Sequence, residues 1–260
     1  MSILEALLLG VIQGLTEFLP ISSSGHLLLF EKILGINSGG LFFNVLLHFA
    51  SLIAVVIVFW KDIIDLIKKP FGEKMQTIIV ATIPTIIIAL IVNYNFDEFR
   101  LNAFLGFGFL LSAIIILITM IKRKQGVFNT GVIKNKNAFI IGIVQGVAVL
   151  PGISRSGSTI CAGLLQGKDR EECAKFSFLI SLPVILGGVL LKTYDGINVG
   201  FGEINWFACI VGFIASFVVA IFTIKFMMKI VKHGNWWYFS VYLFILSLFV
   251  LLNQYVFCWF

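Results

Sequence analysis

Residues 10–26 read GVIQGLTEFLPISSSGH, an apolar run cut by Pro20 and a Ser-Ser-Ser-Gly cluster before apolar character returns. A second stretch behaves the same way: residues 142–158 read GIVQGVAVLPGISRSGS. Aligned without gaps at an offset of 132, the two share Gly10, Gln13, Gly14, Ile21, Ser22, Ser24 and Gly25 with their partners, seven of 17 positions. A helix that crosses the ~30 Å hydrocarbon layer needs about 20 residues, and the Gly/Pro/Ser clusters stop both of these partway. Non-helical backbone at membrane depth is tolerated only where protein or water satisfies its polar groups. Residues 1–34 and 137–167 are therefore predicted to be re-entrant helix pairs that line a site.

The rest of the chain demands a membrane. Apolar residues make up 59% of the 260 and charged residues 12%, with 27 Phe, and the mean hydropathy is +1.04. Soluble domains average roughly half apolar and about a quarter charged, so too few charged side chains are present to cover a globule. This excludes a soluble enzyme, a nucleic-acid-binding domain and a disulfide scaffold. Spans are predicted near residues 41–60, 76–93, 101–121, 173–191, 205–228 and 236–257, and the offset of 132 carries the first three onto the last three. The expected fold is a single all-α polytopic membrane domain, residues 1–260, with about six transmembrane helices plus two re-entrant helix pairs. Its halves, approximately 1–131 and 132–260, read as a duplication. Three crossings per copy is an odd number, so the second copy is expected upside down, as an inverted-topology repeat.

A net charge of +6 is read here as topology and contact with anionic lipid rather than nucleic-acid binding. With the loops assigned to alternating sides, fifteen of the 19 Lys and Arg fall on one side, and Lys32, Arg100 and Lys192 on the other. Arg155 is left inside the second break. The basic side is predicted to be cytoplasmic, which turns both termini and the first re-entrant pair outward. Cys161, Cys173, Cys209 and Cys258 form no CxxC and are read as small apolar residues. The start of the chain lacks a basic region, so no cleaved signal peptide is expected, and Cys258-Trp-Phe is one residue short of a prenylation box.

Glu17 decides the chemistry. A carboxylate at membrane depth costs about 2.5–3.5 kcal/mol on insertion scales and needs a partner or a wet cavity. Gln13 lies one turn earlier on the same face, where an amide can orient it. Ser22, Ser23 and Ser24 can simply satisfy helix ends in a turn, and for Ser22 and Ser24, which recur in the second copy, that role weighs at least as much as binding. The unshared positions are more informative: Glu17 is matched by Val149, Ser23 by Arg155 and His26 by Ser158. Arg155, among Ser154, Ser156, Gly157 and Ser158 at a predicted helix start, has the makings of a phosphate site, although it could instead pair structurally with Glu17. Glu17, Ser23, His26 and Arg155 supply the carboxylate, hydroxyl, imidazole and cation that phosphoryl transfer uses. They are the candidate catalytic residues; Gln13, Ser22, Ser24, Ser154, Ser156, Gly157 and Thr159 are candidates for substrate binding. A diphosphate among so few cations calls for a divalent ion, Mg²⁺ or Ca²⁺, with Glu17 as its oxygen ligand. The scattered His26, His48 and His233 argue against zinc, and His48, inside a span, is read as packed or hydrogen-bonded and kept only as a candidate for supporting the site from behind.

At these residues the chain resembles a known family. QGLTEFLPISSSGH at 13–26 and PGISRSGST at 151–159 look like the two signature segments of the bacterial undecaprenyl-diphosphate phosphatases of the bacitracin-resistance type. LHFASLIAVVIVFW at 47–60 and FSFLISLP at 176–183 match its connecting stretches. The resemblance implies an essential carboxylate at Glu17, catalytic roles for Ser23 and His26, diphosphate binding by Arg155, and hydrolysis of a C55 isoprenoid diphosphate on the outer face of the cytoplasmic membrane. Gln13 stands where the family has Glu or Gln, so a mechanism that needs two carboxylates one turn apart fails for this chain. The expected partners are the prenyl diphosphate lipid and membrane lipids, with no nucleic acid, and a homodimer is one expectation for the oligomeric state. Membrane phosphatases of the phosphatidic-acid type are disfavoured, because their histidine should follow the arginine by six residues, where Cys161 stands. The rival from another class is a secondary transporter or lipid flippase built on an inverted repeat, which gives Ser23, His26 and Arg155 no specific task.

Overall fold

Every break the sequence announces is a break between helices. The computed structural model describes residues 1–36, 41–95, 103–124, 131–199 and 205–257; Arg100 and Cys258 lie outside the described residues. The first half contains α1 (Ile3–Thr16), α2 (Ser23–Leu34), α3 (Leu41–Val58), α4 (Trp60–Lys68), α5 (Glu73–Asn95) and α6 (Leu105–Lys124). The second contains α7 (Asn135–Val147), α8 (Arg155–Leu165), α9 (Arg170–Val199), α10 (Trp206–His233) and α11 (Tyr238–Leu252). No strand occurs among the described residues.

Five stretches, from α5, α6, α9, α10 and α11 with its continuation to Phe257, are long and apolar enough to cross a membrane, and the bent pair α3–α4 makes a sixth. The chain is a multi-pass membrane protein. The single span expected at 41–60 turns by 77° at Phe59. The charges begin there: Lys61, Asp62, Asp65 and Lys68 follow within nine residues, and Asp62 pairs with Lys175 of α9 at 2.5 Å. A helix with that many charges cannot continue through hydrocarbon, so α4 leaves the direction of α3.

The offset of 132 reappears in the packing. Added to Ile3 and Ser23 it gives 135 and 155, the first residues of α7 and α8; added to Leu41, Glu73 and Leu105 it gives 173, 205 and 237, each within three residues of the start of α9, α10 and α11. α1 packs on α10 and α7 on α5; α3 packs on α10 and α9 on α5; α3 meets α9 and α6 meets α11. Small residues let these backbones close up. A Cβ at Gly10 would lie 2.4 Å from the carbonyl oxygen of Gly212, and one at the matching Gly142 would lie 2.1 Å from that of Ala81. The two breaks also touch: a Cβ at Gly25 would sit 3.1 Å from Cα of Gly152, and one at Gly157, its match, 3.2 Å from Cα of Pro20. Ser156 Oγ donates across this junction to the Leu19 carbonyl at 2.9 Å.

Candidate functional site

The first break is a strained turn held from behind. Ser22 has φ 72° and ψ 100°, a region that costs a non-glycine residue on the order of 1–3 kcal/mol. Its Oγ caps α2 by accepting from the Gly25 N–H at 3.3 Å. Its carbonyl accepts from His26 Nδ1 at 2.8 Å. A carbonyl can only accept, so Nδ1 carries the proton and Nε2 accepts from the Tyr242 hydroxyl at 2.6 Å. The ring also stacks on Tyr242 at 5.7 Å and meets the edge of Phe109 at 5.5 Å. Both nitrogens of His26 are thus engaged away from Glu17, and the structure does not bring this histidine to the other candidate catalytic residues. It fixes the turn that carries Ser23.

The second break is built by capping. Ser154 precedes α8, and its Oγ accepts from the Gly157 N–H at 3.1 Å. Its own N–H donates to Ser112 Oγ of α6 at 2.8 Å. Arg155 is therefore the first residue of α8 and reaches the opposite break. Thr159 turns inward, 2.6 Å from Ser177 Oγ.

Glu17 joins the two halves. Buried to 5% exposure, it accepts from Arg155 Nη2 on Oε1. On Oε2 it accepts from Ser23 Oγ at 2.5 Å and Gln13 Nε2 at 3.0 Å, and His48 Nδ1 lies 3.5 Å from the same oxygen. Arg155 Nη1 is buried with no hydrogen-bond partner among the described residues. Beside this cluster opens a cavity of about 170 Å³. Glu17, Ser22, Ser23, Ser24, Ser154, Arg155 and Ser156 line it, with Val184, Ile185, Gly188, Val189 and Lys192 of α9 forming a largely apolar wall. Gln13 is fully buried behind Glu17. Gly157 and Thr159 support α8 and do not line the cavity.

Two basic side chains line the cavity that the sequence reading did not place in contact with substrate: His48, kept only as a supporting candidate, and Lys192, counted only for topology. The comparison of the copies would have found both. By the offset of 132, His48 is matched by Ile180 and Lys192 by Trp60, so each is a polar residue whose counterpart is apolar or aromatic, like Glu17 against Val149. Among the described residues no group of three His, Cys, Asp or Glu able to hold a metal occurs, and Glu17 is the one carboxylate among the described residues that line the cavity.

Fold and site together define a polytopic, all-α membrane protein in which two broken helices converge on a buried acid–guanidinium pair beside a cavity. Residues 6–249 match the family model of the bacitracin resistance protein BacA, and the chain belongs to that family. It is 40% identical over 261 residues to an undecaprenyl-diphosphatase of Halothermothrix orenii, covering 97% of this chain and 98% of that one. An undecaprenyl-diphosphatase of Carboxydothermus hydrogenoformans is 40% identical over 257 residues, with 98% of each chain covered. Undecaprenyl-diphosphatase 4 of Bacillus thuringiensis subsp. konkukian is 38% identical over 256 residues at the same coverage.

Proposed function

We propose that this chain hydrolyses undecaprenyl diphosphate to undecaprenyl phosphate and inorganic phosphate, returning the lipid carrier to cell-wall synthesis. The observation that carries the reading is Glu17 bridging Ser23 and Arg155 across the two breaks. Arg155, with its unpartnered Nη1 and the serines of both breaks, binds the diphosphate through charge-assisted hydrogen bonds. Ser23 attacks the terminal phosphorus and gives its proton to Glu17, the nearest acceptor. The phosphoanhydride bond breaks with undecaprenyl phosphate as the leaving group, and water then releases the phosphate from Ser23. The apolar α9 wall receives the first part of the prenyl chain.

The residues fit a divalent ion only together with the substrate. One carboxylate is too little for a resident site, whereas Mg²⁺ is commonly held by one or two carboxylates plus substrate phosphates. Glu17 and the diphosphate oxygens would hold Mg²⁺ or Ca²⁺, which supplies neutralisation of phosphate charge.

We place the enzyme in the cytoplasmic membrane with the cavity opening outward. The cavity wall runs along α9 toward Lys192, a residue of the sparsely charged side, and none of the fifteen residues of the basic side lines it. The reciprocal packing of α1–α10 and α7–α5 supports the inverted repeat with halves at approximately 1–131 and 132–260.

Phosphate release from undecaprenyl diphosphate by detergent-purified protein tests the reading. Wild type is expected to turn over, to stop with EDTA and to recover with Mg²⁺ or Ca²⁺. Arg155→Ala and Glu17→Ala are expected to lose at least ~100-fold while remaining folded, in line with removal of a charge-stabilising group. Near-normal turnover in Arg155→Ala overturns the site. A transporter or flippase would release no phosphate from any of them.

A further inference from the structure

The imidazole at the cavity is His48. His26 has both nitrogens committed behind the turn, to the Ser22 carbonyl and the Tyr242 hydroxyl. His48 lines the cavity, and its protonation can be read from its neighbours. Gln13 places one terminal atom 3.0 Å from Glu17 Oε2. A carboxylate oxygen paired with arginine only accepts, so that atom is the amide nitrogen. The same nitrogen lies 2.9 Å from His48 Nδ1, nearer than its third neighbour, Ser51 Oγ at 3.3 Å, so its second hydrogen goes to Nδ1, and the ring proton sits on Nε2. Among the described residues Nε2 has no hydrogen-bond partner.

We propose that His48 is a substrate-contacting residue that presents Nε2–H to the diphosphate, with Gln13 as the positioning residue that sets its tautomer. The proposal rests on the phosphatase reading and extends its binding set. It also gives Gln13 a task a carboxylate could not perform in its ionised form, since that would have no hydrogen to donate to Nδ1.

The experiment compares kcat and KM for undecaprenyl diphosphate in wild type, His48→Ala, His48→Gln, Gln13→Met and the double variant Gln13→Met/His48→Ala. His48→Ala is expected to raise KM at least tenfold with a smaller change in kcat. His48→Gln, whose amide N–H reaches where Nε2–H stood, is expected within threefold of wild type. Gln13→Met is expected to raise KM severalfold and, through its lost contact with Glu17, to lower kcat besides; in KM the double variant is expected to be no worse than His48→Ala, because there the two act as one unit. An unchanged KM in His48→Ala, equal losses in the Ala and Gln variants, or additive effects of Gln13 and His48 on KM each overturn the proposal. The phosphatase reading fails separately, if wild type itself releases no phosphate.

Discussion

At Ser22 the backbone stands at φ 72°, and it is held there by a relay of neighbouring side chains. The Tyr242 hydroxyl donates to His26, and His26 donates to the Ser22 carbonyl, so a residue of α11 ultimately fixes where Ser23 meets Glu17. Tyr242→Phe removes one donor and leaves a buried acceptor unpaired, a change of about 1–3 kcal/mol in stability. The expected outcome is a lowered detergent melting temperature and a fall in kcat of no more than severalfold. A loss as deep as that of Glu17→Ala would mean that His26 takes part in proton transfer. The residue scale is also where the sequence was least legible. Glu17, Ser23 and Arg155 could be picked out because each differs in chemistry from its partner in the other copy. His26 passed the same test against Ser158, yet it points elsewhere, because a one-dimensional comparison ranks side-chain chemistry and is blind to side-chain direction.

Between elements, the closest approaches run through glycine. Gly142 of α7 would drive a Cβ to 2.1 Å from the Ala81 carbonyl of α5, and main chain cannot rotate aside as a flexible side chain can. Nearby, Thr85 Oγ1 donates to the Gly142 carbonyl at 2.8 Å, and Gln145 Nε2 donates to Thr85 Oγ1 at 3.1 Å. Gly142→Ala is therefore expected to destabilise the fold by about 1–3 kcal/mol, the usual range for overpacking, measurable as an earlier unfolding transition in detergent. Gly106→Ala of α6, whose new Cβ would meet Cδ2 and Cγ of Leu251 at 2.7 Å, is expected to do less harm because rotation of that side chain moves both atoms aside. Equal effects would show that the approach of the two backbones is not what limits the packing. Helix existence and breaks were readable from apolar runs and Pro/Gly clusters. The bend at Phe59 was not, since length and hydropathy say how far a span can reach but not that Asp62 finds Lys175.

For the whole molecule, the cavity and the charge distribution point the same way. Lys192 lies at the cavity, while Lys61 and Lys175 belong to the basic side. Lys192→Cys is expected to react with a membrane-impermeant maleimide added to intact cells, and Lys61→Cys only after the membrane is opened, each read against the wild-type background. The reverse pattern would turn the enzyme over. The number of apolar helices was legible before any coordinates, while the opposite orientation of the two copies is part of the proposal that this labelling tests. The ion pair between Glu17 and Arg155 carries one last implication. Glu17 sets a full opposite charge against Nη2 of the guanidinium, so a headgroup bound at Nη1 as proposed shares that cation with the carboxylate. On the proposed function a diphosphate brings more negative oxygen to that shared cation than the monophosphate product does, which would make the pair a threshold favouring capture of the spent carrier and dismissal of the renewed one.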